Sequence, residues 1–264
     1  MKELLRLIQC EFWKLKRKKF ILFVIFAALL FPIPFTALVL GGGIGGMDAF
    51  DGLYEMLLCI GEPIMLPCIL GIIAAILFFM ERDNGTLKNT KTVPVPVWKI
   101  ASAKIAVLYT LGLVYACATM ISSMVGGLLA GSNLGDIGGK VWISVVTALL
   151  YTTSILPVVI VIVGLNRSYI FSIIFTFFYT MFGFMLGFTG LFTSSDPVLK
   201  LLTNIIPAPI IYRWQASQMV ELGTDAYSVW ESYFLPLWLV ALTVFIIGAL
   251  SYLAIIKIYQ RKES

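Results

Sequence analysis

Six long apolar runs alternate with short polar gaps along this chain, at about 20–40, 57–80, 105–129, 141–163, 169–192 and 235–256. Each can cross a bilayer as a helix, because about 20 residues span the ~30 Å hydrocarbon layer. The runs are continuous and do not alternate with period two, which argues against a membrane barrel. The pattern predicts an all-α membrane protein of six transmembrane helices in one domain, residues 1–264.

The polar gaps carry their own patterns. In residues 1–19, Leu4, Leu5, Ile8, Phe12 and Leu15 recur at helical spacing and share one arc of about 100°. Lys2, Arg6, Gln9, Lys16 and Arg17 fall on the other side. A basic amphipathic helix of this kind lies in the membrane interface, apolar face toward the acyl chains. The longest gap, 193–234, holds Pro207, Pro209, Tyr212, Trp214, Trp230 and Tyr233, which predicts short interfacial or re-entrant helices in the last extracellular loop.

Charge placement sets the topology. Sixteen of the 19 Lys and Arg residues lie in 1–19, 81–104, the 164–168 turn and the tail after 256. The remaining gaps hold Lys140, Lys200 and Arg213, together with most of the acidic residues. Basic gaps stay inside, so both termini and the 81–104 segment are expected in the cytoplasm and 193–234 outside. The first run lacks a small-residue cleavage site and is expected to remain as a span.

Composition then narrows the chemistry. The chain is 60% hydrophobic and 12% charged, with a formal charge of +5; soluble domains are nearer half apolar and a quarter charged. The basic residues flank spans, so nucleic acid is not an expected partner. There is no histidine, which removes the usual zinc ligand and the usual general base. No metal site and no catalytic residue are predicted. Cys10, Cys59, Cys68 and Cys117 form no C-x-x-C pair and read as apolar filler, with a Cys59–Cys68 bridge left open. Glu62 is the one acidic residue set inside an apolar run. It is either an intramembrane functional group or a residue at the water boundary of a span that starts later. Small-x-x-x-small spacing recurs in Gly41–Gly46 and at Gly127/Gly131 and Gly183/Gly187, and reads as local helix packing.

The gap after the second run is the most specific segment. Glu81 ends the run, Gly85 permits a turn, and Thr86 can cap a short helix that ends before Val93-Pro94-Val95-Pro96. Trp98 and Lys104 then anchor the start of the third span. The order Glu-x-x-x-Gly-Thr-Leu, then Pro94, then Lys104, resembles the first cytoplasmic loop of type-2 ABC exporter permeases. The basic N-terminal helix, six spans and long last outer loop are similar to that family too. The resemblance implies that 81–104 is a coupling loop in which Gly85, Thr86, Leu87 and Lys88 meet an ATPase subunit, with Glu81 at the membrane edge. It departs from better-known members in having Val95-Pro96-Val97 where a polar or basic residue often follows the proline.

There is no G-x-x-x-x-G-K-[ST] phosphate loop. The resemblance therefore implies a transport subunit and not an enzyme. Two copies of a separate ABC ATPase would bind ATP and Mg, and a second permease chain, identical or homologous, would complete the assembly. The small size and the Glu11-Phe12-Trp13-Lys14-Leu15-Lys16 start are similar to the lantibiotic and bacitracin self-protection permeases of bacterial cell membranes. That implies an amphipathic peptide antibiotic as substrate, with a lipid, polysaccharide or sodium as alternatives. An intramembrane aspartyl enzyme needs Gly-x-Gly-Asp, and Leu134-Gly135-Asp136 lacks the first glycine. An ATP-independent channel or carrier usually places charges in mid-membrane, where this chain offers at most Glu62.

Overall fold

The computed structural model describes residues 2–17, 48–83, 95–165, 168–190, 197–220 and 225–263, with single positions at 22, 26, 34, 36 and 37 between the first two segments. Among the described residues all regular structure is helical. The N-terminal helix α1 is Lys2–Arg17. A long helix follows in three parts: α2 (Ala49–Met56), a π-helical segment (Leu57–Met65) and α3 (Leu66–Asp83). Next come α4 (Val97–Leu129), α5 (Ile137–Ser154), α6 (Leu156–Leu165) and α7 (Tyr169–Gly190). Three short helices, α8 (Pro197–Ile205), α9 (Pro207–Ser217) and α10 (Asp225–Trp230), precede the terminal α11 (Leu237–Glu263).

Among the described residues, five stretches are long and apolar enough to cross a membrane: Ala49–Met80, Val97–Leu129, Ile137–Leu165, Tyr169–Thr189 and Glu231–Arg261. The first predicted run, 20–40, lies almost wholly outside the described residues. Helix edges differ from those read off hydropathy. The second run begins at Ala49 and not near 57, because Ala49–Met56 buries Phe50, Leu53 and Tyr54 against α4 despite its two acids. The third begins at Val97, just after Pro96, and not at 105. The fourth starts at Ile137 and breaks at Ile155, ahead of Pro157, whose ring removes a backbone donor.

The start of α5 shows why Asp136 sits where it does. Its φ of 38° is left-handed, and its carboxylate accepts the Gly139 N–H at 3.2 Å, capping the helix. That cap gives Asp136 a structural role at the start of α5.

α3 and α4 form the centre, with Leu70, Ile73, Leu77, Val107, Leu108 and Leu111 almost fully buried. The neighbours are α5, α6 and α7. The outside is apolar as well: Phe171, Phe178 and Phe182 on α7 and Trp238, Phe245 and Leu253 on α11 are exposed. Apolar surface on both sides of a helix is what a bilayer-embedded bundle requires.

α9 does not lie along the surface. It re-enters the bundle between α7, α5 and α11, and Ile210, Ile211, Tyr212, Trp214 and Gln215 are all buried. Two glycines of α7 make room. A Cβ on Gly183 would stand 2.9 Å from the Ala208 Cβ, and one on Gly187 would stand 3.0 Å from the Tyr212 Cβ. The Gly183/Gly187 spacing therefore serves packing within the chain.

Candidate functional site

Two groups of polar residues stand out from this apolar frame, one at the end of α4 where it starts and one halfway along it.

The first group joins three helices. Lys104, about two turns into α4, is expected from the sequence to anchor the start of the span, yet its side chain is fully buried. Its ammonium donates to the Leu77 carbonyl on α3 at 2.7 Å and lies 3.3 Å from Glu11 on α1. It also stands over the Phe78 ring at 5.7 Å. A buried ammonium needs such partners, since an unpaired charge in an apolar interior is prohibitively costly. Glu11 is held from its other side by Lys14, at 2.6 Å. Further out, Lys99 pairs with Glu3 at 2.6 Å, and that hydrogen bond holds the exposed Glu3 carboxyl below the usual range. Ser102 and Tyr252 hydroxyls, 2.6 Å apart, tie the same end of α4 to α11.

This arrangement changes the reading of α1. Leu15 is fully buried, and Ile8 and Phe12 pack against the core. Leu4 is half-buried, while Leu5 stays 63% exposed and Lys16 points outward. The apolar arc thus faces the bundle more than lipid, with Leu5 as its exposed member and Trp13, off the arc, exposed as well. Arg17 is the last described residue of α1. Glu11 was missed because the arc was read for apolar residues only. The available signal was an acid three residues after Ile8 and four before Leu15, inside the stripe.

The segment between α3 and α4 is bounded by this group. Glu81 lies in the last turn of α3. Gly85, Thr86, Leu87 and Lys88 lie outside the described residues. The chain leaves α3 shortly after Leu77 and returns into α4 shortly before Lys104, so one side chain joins the two flanks of that loop to each other and to α1.

The second group surrounds the π-helical segment. Pro63 has no N–H, so in a π-turn, where residue i bonds i+5, the Leu58 carbonyl loses its partner. Gln215 of α9 supplies the replacement, donating its side-chain amide to the Leu58 carbonyl at 2.6 Å. Tyr151 in turn donates to the Gln215 side-chain carbonyl at 3.0 Å. The Gly61 carbonyl receives the Tyr115 hydroxyl at 3.3 Å. Re-entry of α9 and widening of the helix are therefore one local solution to a buried proline.

Glu62 sits in this segment with 0% exposure, near the midpoint of Ala49–Met80. The reading that put it at the water boundary is corrected: the span starts thirteen residues before it. Neither carboxyl oxygen has a hydrogen-bond partner, and the Ser144 and Thr147 hydroxyls face it without meeting bonding geometry. All four cysteines are free thiols, so no Cys59–Cys68 bridge exists. Among the described residues no group of His, Cys, Asp and Glu could hold a metal ion.

A membrane-spanning helical bundle with a polar cluster at one end and a buried polar layer halfway defines a polytopic membrane protein. The sequence model described as ABC-2 family transporter protein matches residues 7–183, about two thirds of the chain. The protein belongs to that family: it is a membrane permease of the ABC exporter type, a component that works with a separate ATPase. No curated protein matches the chain.

Proposed function

We propose that this chain is the permease of an exporter that expels an amphipathic peptide antibiotic from a bacterial cell membrane. Both termini and the 81–104 segment face the cytoplasm, where Gly85, Thr86, Leu87 and Lys88 seat on the ATPase and Glu81 marks the membrane edge. Two ATPase subunits bind ATP and Mg. A second permease chain, identical or homologous, completes the path.

The observation that supports this reading is the Glu11–Lys104–Leu77 junction. It joins both flanks of the proposed coupling loop to α1, so a displacement of the loop moves α3, α4 and α1 together. ATP-driven closure would favour one bundle conformation over another through differential stability of the two states. α1 lies at the interface in this reading, with Leu5, Trp13 and Lys16 toward the headgroups.

The substrate class rests on similarity of size and N-terminal sequence. Trp214 is buried in α9 and offers no outer surface to a substrate in this conformation. Deleting the gene should sensitise cells to a cationic or lipid II-binding peptide, and the chain should co-purify with an ABC ATPase. Unchanged sensitivity across such a panel would shift the substrate to a lipid, polysaccharide or sodium. Absence of any co-purifying ATPase would remove the coupling role.

A further inference from the structure

The buried carboxyl of Glu62 lies outside the Glu11–Lys104 group, and its surroundings are specific. Among the described residues, no Lys or Arg interacts with it; the groups that do are hydroxyls and phenols. Tyr54 approaches from α2, Tyr115 from α4 and Tyr151 from α5, and phenols stay neutral near neutral pH. Gln215 of α9 is neutral and already committed to Leu58 and Tyr151. Lys140, over the Tyr54 ring, is paired with Asp51, and Asp136 acts on Tyr54 as well. An ionised carboxylate without a counter-charge is not sustainable in such a place.

The hydroxyls add a directional constraint. Thr147 donates its proton to the Ile143 carbonyl at 2.7 Å, so it offers Glu62 only lone pairs. An ionised carboxylate also offers only lone pairs; a protonated one has a hydrogen to give. Ser144 stands between Glu62 and Tyr54, and the Tyr54 hydroxyl donates to the Lys140 carbonyl at 3.0 Å. Among the described residues, the Ser144 hydroxyl has no partner of its own and is uncommitted. Thr147 is thus arranged as an acceptor, and Ser144 is free to accept as well.

We propose that Glu62, with Ser144 and Thr147, is an intramembrane proton-binding site. The carboxyl holds one proton while the π-helical segment is packed against α5, and yields it to water when that segment opens, leaving a carboxylate and a hydrated proton. The π-turn around Pro63 is the element able to open, since its backbone is held by side chains from α4 and α9 and not by its own ladder alone. The site is independent of which substrate is exported.

Infrared difference spectroscopy on the full-length permease in lipid nanodiscs tests this directly. The wild-type protein at neutral pH should show the carbonyl stretch of a protonated carboxyl, absent in E62Q. Ser144→Ala and Thr147→Val should each shift that band, because each removes a hydroxyl that faces the carboxyl. E62Q should fold with unchanged thermal stability, as a neutral isostere of a protonated acid. Loss of carboxylate bands in E62Q instead, or a band unmoved by both hydroxyl variants, would overturn the proposal. So would an unfolded E62Q protein alongside a folded Glu62→Asp protein.

Discussion

Lys104 and Glu11, 93 positions apart in the chain, meet as a buried pair 3.3 Å apart beneath α1. Both are nearly free of solvent, and the ammonium is completed by the Leu77 carbonyl. Breaking a buried pair from one side leaves an uncompensated charge, which costs about 3–5 kcal/mol. Glu11→Ala should therefore lower the melting temperature of the detergent-solubilised protein sharply and free α1 from α4. The double change Glu11→Leu with Lys104→Met should recover most of that loss, because apolar groups of similar volume can replace such a pair. Equal stability of the Glu11→Ala and wild-type proteins would refute this account of the junction.

Gln215 should be sensitive for a different reason. Gln215→Leu keeps the volume but leaves the Leu58 carbonyl and the Tyr151 hydroxyl without partners in a buried site. The expected cost is about 1–3 kcal/mol for each stranded group. Hydrogen exchange should show lost protection across both 57–65 and 207–217. Loss confined to one of them would mean that the π-segment and α9 are not mutually supporting.

Gly187 tests the re-entrant packing. Gly187→Leu forces a side chain into the Tyr212 ring and should displace α9, at an overpacking cost of about 1–3 kcal/mol. Gly138→Leu is the control, since a Cβ there meets nothing within 4 Å. Thermal unfolding of the two variants should separate clearly.

Gly85 and Thr86 test coupling. Replacing both with bulky residues should abolish export while the protein still inserts in the membrane and reaches wild-type abundance. Normal export by that variant would remove the coupling assignment.

Much of the architecture could be read from the chain because lipid imposes length and composition on each span. The runs at 105–129 and 169–192 needed only hydropathy to be found. What hydropathy could not supply were residues whose polarity is satisfied by distant partners. Ala49–Met56 contains Asp51 and Glu55 and so read as a gap, although its other face is core. Lys104 read as an anchor because a lysine beside a span usually is one; only the fold brings Glu11 and Leu77 to it. Gln215 carried no local signal at all. Its role follows from a missing N–H at Pro63, some 150 residues earlier, and from the α7 glycines that let α9 descend. Glu62 was visible as an oddity in an apolar run, but its depth depended on where the helix began.

The most direct test of the central claim is site-specific photocrosslinking from position 86 in intact cells that also express the ATPase. A covalent adduct between the permease and the ATPase subunit from position 86, and none from position 133 at the opposite end of α4, is the predicted result. An adduct from position 133 and none from position 86 would place the ATPase at the wrong end of the bundle and contradict the account.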